Sequence, residues 1–225
     1  MTFSLIAHCR RTGQFAVSVA SSSPAVAARC AYVRAGLGAA TTQNVTDPRL
    51  GPALLAALSQ GLDAAAALAQ VRAAATFAEY RQLTVLDSSG RAAAWSGAKT
   101  LGVYAEAVGD GAVAAGNLLA NPGVPAAVLA AFRAADPAAE LGARMVTAMQ
   151  AGLAAGGEAG SLRSAGLLVA EREAWPLADL RVDWHDEPLS ELSRFWEIWA
   201  PQMRDYVTRA LNPAAAPSYG VPGDE

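Results

Sequence analysis

Thr2-Phe3-Ser4-Leu5-Ile6-Ala7-His8-Cys9 and Phe15-Ala16-Val17-Ser18-Val19-Ala20-Ser21-Ser22, joined by Arg10-Arg11-Thr12-Gly13-Gln14, read as a β-hairpin near the amino terminus. The glycine supplies the positive φ that a short hairpin loop needs, and the aromatic and β-branched side chains favour extended backbone. Phe3, Leu5, Ile6 and Ala7 on one arm, and Phe15, Ala16, Val17, Val19 and Ala20 on the other, place apolar groups on both faces. A strand apolar on both faces must be covered on both, so the hairpin is expected at the centre of a layered structure.

Working outward, residues 35–46 read as a further strand, punctuated by Asp47-Pro48, and alanine-leucine helices follow over 51–60 and 62–76. A second hairpin spans 81–87 and 91–95 across Ser88-Ser89-Gly90, and a strand returns over 111–118. Two helices are predicted over 124–135 and 137–155, with Asp136 placed to cap the second and Pro137 in its first turn, where a missing N–H costs nothing. Gly156-Gly157 ends it. Strands recur over 164–171 and 177–184, followed by an amphipathic helix from Glu187 that Pro201 should kink or split. Residues 1–211 read as one domain and 212–225, rich in Pro and Ala, as an extended or disordered tail. Helix pairs inserted between hairpins, with no G-x-G-x-x-G after a strand, argue against a doubly wound parallel sheet. The expected class is α+β, a four-layer αββα sandwich of mainly antiparallel sheets, with a two-layer α+β domain as the alternative.

Composition narrows the function. The chain has 225 residues, 53% hydrophobic and 16% charged, which suits a packed core rather than disorder. A net charge of −3, with Lys99 the single lysine among 17 basic residues, gives no basic face for a phosphate backbone, so no nucleic-acid partner is expected. The uncharged run 111–132 is broken by Gly116, Asn117, Asn121, Pro122, Gly123 and Pro125, so no membrane span is expected. Few apolar residues precede His8, Cys9, Arg10 and Arg11, the reverse of a secretory signal, and the expected location is cytoplasmic. Cys9 and Cys30 fit no metal spacing and read as buried, reduced thiols; no metal or other cofactor is expected.

Three segments carry candidate chemistry. Ser96-Gly97-Ala98-Lys99 spells the S-x-x-K of serine acyl-enzymes, without their S-D-N and K-T-G partners. Asp183, His185 and Glu187 share a face if their strand continues, a spacing suited to a metal or an acid–base pair, although beside Pro188 it also reads as a solvated helix start. The third is Thr2. Methionine is trimmed when the next side chain is small, and the α-amine so freed titrates near ~7.7–8.0, able to take the proton of its own hydroxyl. Nucleophile and base then share one residue, with no need of histidine.

Met1-Thr2-Phe3-Ser4-Leu5-Ile6-Ala7, Ala16-Val17-Ser18-Val19-Ala20-Ser21, Arg34-Ala35-Gly36-Leu37-Gly38-Ala39-Ala40-Thr41-Thr42-Gln43, Tyr80-Arg81-Gln82, Ala115-Gly116-Asn117-Leu118-Leu119 and Asp179-Leu180-Arg181-Val182-Asp183 resemble, in this order, the bacterial and archaeal family DUF1028. That family's pattern looks like the N-terminal nucleophile (Ntn) hydrolase superfamily, which includes proteasome subunits, penicillin acylases and glutamine amidotransferase domains. The resemblance implies the αββα sandwich and a nucleophile at Thr2, at the start of a central strand. It further implies Ser21 across the hairpin to polarise the α-amine, Asn117 as an oxyanion donor, and Arg34 and Arg81 as forks for a substrate carboxylate. With Met1 attached the Thr2 nitrogen is an amide without a basic lone pair, and the catalytic lysine of proteasome subunits has no equivalent, since Lys99 lies far downstream.

The leading expectation is therefore a hydrolase of a small-molecule amide, lactam or other C–N acyl bond. A non-catalytic Ntn-like scaffold that binds a small metabolite or partner is the competing class, and hydrolysis around Asp183 and His185 is a third. Leu192, Phe195, Trp196, Trp199, Met203 and Tyr206 recur at helical spacing, and with the tail they suggest a homodimer whose interface includes Trp196 or Trp199.

Overall fold

Alternation along the first hairpin sorts its side chains into two cores. In β1 (Thr2–Cys9) and β2 (Gln14–Ser21), Phe3, Leu5, Ala7, Ala16 and Ala20 enter one core, whereas Ile6, Phe15, Val17 and Val19 enter another. Both faces are covered because the hairpin lies inside a stack of layers. The computed structural model describes residues 1–223. After the hairpin come α1 (Ala27–Cys30), β3 (Ala31–Arg34), β4 (Gly38–Asn44), α2 (Leu50–Ser59), α3 (Ala64–Ala74), β5 (Arg81–Asp87) and β6 (Ala92–Ser96). The second half holds β7 (Ala105–Gly109), β8 (Ala112–Asn117), α4 (Val124–Ala134), α5 (Leu141–Ala154), β9 (Ser164–Ala170), β10 (Ala178–Val182), α6 (Pro188–Trp199) and α7 (Met203–Leu211).

The strands form a six-stranded sheet in the order β10-β9-β2-β1-β8-β7 and a four-stranded sheet in the order β3-β4-β5-β6. Every pairing in both is antiparallel. Helices α4, α5 and α6 cover the outer face of the larger sheet, with Val128, Met145, Met149 and Leu192 packed against Phe3 and Leu167. Helices α2 and α3 cover the smaller sheet through Leu54, Ala67 and Val71 against Leu83 and Val85. Between the sheets, Ile6, Val17 and Val113 meet Ala39 and Leu86. The αββα sandwich expected from segment order is the observed architecture.

Three local expectations change. Of the strand expected over 35–46, Gly38–Asn44 forms β4, the residues before it form a turn with Gly36 at φ +68°, and β3 upstream was not expected. Asp136 does not cap a helix: α5 begins at Leu141, and Asp136 Oδ1 accepts the Ala138 N–H at 2.8 Å in a local turn. Strand β7 had no sequence signal. Pro201 splits the last helix as expected, α6 ending at Trp199 and α7 starting at Met203.

The aromatic stripe is used mainly within the chain. Leu192, Trp196 and Met203 belong to the helix-covered core, with Phe195 and Trp199 packed against it. A Cβ at Gly142 would lie 2.2 Å from the Trp196 ring, so the missing side chain is what lets α5 and α6 approach. Trp199 Nε1 donates to the Leu177 carbonyl at 3.1 Å. Trp196 is thus spent inside the subunit. The tail folds back over α7, where the Arg209 guanidinium sits 3.8 Å from the centre of the Tyr219 ring; Asp224 and Glu225 of the expected tail lie outside the described residues. Among the described residues no helix is long and apolar enough to cross a membrane.

Candidate active site

Strand pairing brings Thr2, Ser21 and Asn117 together. Thr2 stands opposite Asn117 across β1 and β8, and Phe3 stands opposite Ala20, which sets Ser21 beside Thr2 on the neighbouring strand. Because Phe3, Ala20 and Ala114 face the helices, the odd partners Thr2, Ser21 and Asn117 face the other sheet. All three are buried.

Two hydroxyls converge on one carbonyl. Thr2 Oγ1 lies 3.3 Å from Ser21 Oγ and donates to the Met1 carbonyl oxygen at 2.5 Å, and Ser21 Oγ donates to the same oxygen. A carbonyl oxygen can only accept, so the Ser21 proton goes to Met1. Arg29 has only donors, so its Nη2, 2.6 Å from Ser23 Oγ, makes that hydroxyl an acceptor. The Ser23 hydroxyl, 2.8 Å from Ser21 Oγ, and the Ser23 N–H at 3.1 Å then both point at Ser21, whose own proton is left for Met1.

Glu158 closes this corner and was missed in the sequence. It lies in the loop between α5 and β9, bridged to Leu119, and is 5% exposed. One carboxylate oxygen accepts the Ser22 N–H at 3.1 Å, while the other is buried without a partner. Burial pushes its carboxyl up to about 7, against the pull of the Met1 amino terminus and the Ser22 hydrogen bond. The signal available was a lone acid in Gly156-Gly157-Glu158-Ala159-Gly160, a run with no basic neighbour and no other use for a charge.

A buried amide row backs Asn117. Its Nδ2 donates to Gln82 Oε1 at 3.0 Å, which also receives Gln43 Nε2 at 2.7 Å. Gln82 Nε2 in turn donates to the Gly116 carbonyl at 2.9 Å and to Ser96 Oγ at 2.8 Å. The Asn117 and Gln43 carbonyl oxygens are buried without partners. Non-glycine residues with positive φ among the described residues are Ala25 at +50°, Asn44 at +74°, Phe77 at +56° and Leu118 at +49°; Asn44 ends β4 and Leu118 directly follows β8, both at the Thr2 end. Such backbone strain gathers where surrounding contacts hold a site in shape.

The other candidates separate. Arg81 stands at this end, opposite Asn44, half-buried, with Nη1 donating to the Val45 carbonyl and Nε without a partner. Arg34 does not join it. The β3–β4 turn places Arg34 opposite Gly38, which pairs with Asp87, and Asp87 lies five residues along β5 from Gln82, roughly 16 Å away at the rise of a strand. There, exposed, it lines a separate cavity of about 440 Å³ with Arg172 and Trp175. Ser96 and Lys99 also part company: Ser96 donates to Glu106 at 2.5 Å, and Lys99 to Glu79 and Tyr80 at 3.4 and 3.2 Å. Asp183, His185 and Glu187 are exposed, and among the described residues no three acidic, histidine or cysteine side chains form a metal-binding group.

Protein SPO2555 from Silicibacter pomeroyi, a DUF1028 protein known from a crystal structure, is 27% identical to this chain, with a TM-score of 0.84 over 91% of this chain and 89% of that one. Anbu (ancestral beta-subunit) from Yersinia bercovieri is similar at 9% identity over 91% of this chain and 97% of that one, with a TM-score of 0.39; nothing about this chain follows from so distant a likeness. No curated protein matches the chain. Residues 2–192 match DUF1028, described as a family of unknown function, and with most of its length so matched the chain belongs to that family.

Proposed function

We propose that the protein is a hydrolase of an amide, lactam or other C–N acyl bond in a small molecule, with Thr2 as nucleophile once Met1 has been removed. The observation that carries this reading is the convergence of the Thr2 and Ser21 hydroxyls on the Met1 carbonyl oxygen, beside the buried carboxyl of Glu158. Removal of Met1 turns the Thr2 amide nitrogen into an α-amine. That amine takes the Oγ1 proton as the oxygen attacks the acyl carbon. Ser21 lies within reach to orient it, and the second Nδ2 hydrogen of Asn117 is available to an oxyanion. The C–N bond then breaks, the amine leaves with the proton held by the ammonium, and water cleaves the threonyl ester to a carboxylic acid.

One observation favours the competing reading, a non-catalytic scaffold. With Met1 in place its thioether packs at Gly160, where a Cβ would lie 2.9 Å from Cε, and the Thr2 nitrogen has no lone pair to offer. Intact mass of untagged protein, before and after a small β-lactone, separates the two. A chain lacking methionine that gains one acyl group on Thr2 is the expected result. Retained Met1 with no acylation would leave the scaffold.

A further inference from the structure

We infer that the end of the sandwich opposite Thr2 holds a second binding site, for a small oxyanion carrying two or more negative charges, in the cavity between the β1–β2 turn, the β7–β8 turn and helices α4 and α5. The cavity has a volume of about 320 Å³, and its lining includes Arg10, Arg11, Arg133, Arg144, His8 and Asp110. His8 lies six residues along β1 from Thr2, roughly 20 Å at the rise of a strand, so this site is independent of the hydrolase reading.

The charge balance here is the reverse of that of the chain. A protein of net charge −3 brings four guanidinium groups to one cavity and a single lining carboxylate. That carboxylate is already taken, since Asp110 receives both Nη atoms of Arg10, at 3.0 and 2.7 Å. Among the described residues, neither Arg11, Arg133 nor Arg144 has an ion-pair partner; every pair found involves other cations. Arg11 and Arg144 donate only to main-chain carbonyls, those of Ala138 at 3.0 Å and Phe132 at 3.4 Å.

Two of these groups are also held in place. The Arg144 guanidinium carbon stands 4.3 Å from the Phe132 ring centre, and its Nε is closed off from solvent without an acceptor. The Arg133 guanidinium lies against Gly109, where a Cβ would come within 2.2 Å of Nη2. The His8 ring stacks on Phe15 at 4.3 Å on the face turned to the smaller sheet, with Nδ1 beside Gly90, so it walls the cavity without aiming that nitrogen into it. Planar forks match the paired oxygens of phosphoryl and carboxylate groups, and a cavity of this size accommodates a small metabolite.

Isothermal titration calorimetry of the full chain with pyrophosphate, and separately with citrate, tests the site and tells phosphoryl from carboxylate ligands. Saturable one-to-one binding of either is expected, weakened about tenfold or more in Arg133→Gln and Arg144→Gln and unchanged in Arg34→Gln. No saturable binding of either anion, or equal affinity in folded Arg133→Gln and Arg144→Gln proteins, would overturn the proposal. Should those variants not fold, phenylglyoxal modification of the unmutated chain serves instead. Pyrophosphate or citrate should shield Arg133 and Arg144, and absence of shielding counts against the site.

Discussion

Thr2 Oγ1 and Ser21 Oγ lie 3.3 Å apart on neighbouring antiparallel strands, and both donate to the carbonyl that precedes Thr2. Thr2→Ala should therefore abolish acylation by a β-lactone while leaving the melting temperature within a few degrees, because one hydroxyl at a strand end contributes little packing. Thr2→Ser should retain the reaction. Ser21→Ala should slow it by roughly 10²-fold or more, as expected for a group that orients proton transfer. Full acylation of Thr2→Ala would place the nucleophile elsewhere.

Asn117→Ala tests the oxyanion assignment. Loss of an oxyanion donor lowers kcat by roughly 10²–10³. The fold should survive, since Gln82 Oε1 keeps its bond from Gln43 at 2.7 Å. An unchanged rate would reduce Asn117 to a member of the amide row.

Glu158 makes a stability prediction whose sign follows from its environment. Burial raises its carboxyl from 4.5 to about 7, so between those values the folded chain holds a proton that the unfolded chain has released. Stability contributed by this residue is full below about pH 4.5 and is lost as pH rises through about 7. Denaturant unfolding of the wild type and Glu158→Gln at pH 5 and pH 8 should show a larger loss in the wild type, on the order of 2–3 kcal/mol. Parallel losses in the two proteins would contradict the raised value.

Assembly offers another test. We propose a homodimer, and with Trp196 buried the surface offered by α6 and the tail is the half-buried Trp199, Ile198 at 52% exposed, and Tyr219, also 52% exposed. Light scattering at micromolar concentration should give twice the subunit mass, and deletion of residues 212–225 or Ile198→Glu should shift the protein toward monomer. A monomeric full chain ends this proposal.

The legible parts of the fold were those in which a residue's own segment decides its fate. The β1–β2 hairpin declared itself because both its faces are apolar, and α4 because Pro125, Val128, Leu129 and Phe132 repeat at helical spacing. Strand β7 was silent because Ala105-Glu106-Ala107-Val108-Gly109 is a half-exposed edge, held by pairing with β8 and not by its own propensity. The site divided in the same way. Ser21 follows from hairpin register alone, whereas Gln43, Gln82 and Glu158 meet Thr2 and Asn117 only once two sheets are stacked and a loop closes over them. Arg34 was misplaced because its motif does not reveal at which end of the strand it falls.

The hydrogen bond from Ser96 to Glu106, 2.5 Å long, joins β6, the outermost strand of the smaller sheet, to β7, the outermost strand of the larger. It works as a clasp on one long side of the sandwich, and through Gln82 it is continuous with the amide row behind Asn117. The other long side, where β3 ends at Arg34, instead opens into the cavity shared with Arg172 and Trp175. The β3 side is held by apolar packing, Ala31 and Val33 in one cluster with Leu168, and by the Ala25 N–H bonded to the Asp183 carbonyl at 2.9 Å. The sandwich is thus fastened differently along its two long sides, by a polar bond at β6 and β7 and by apolar contact at β3.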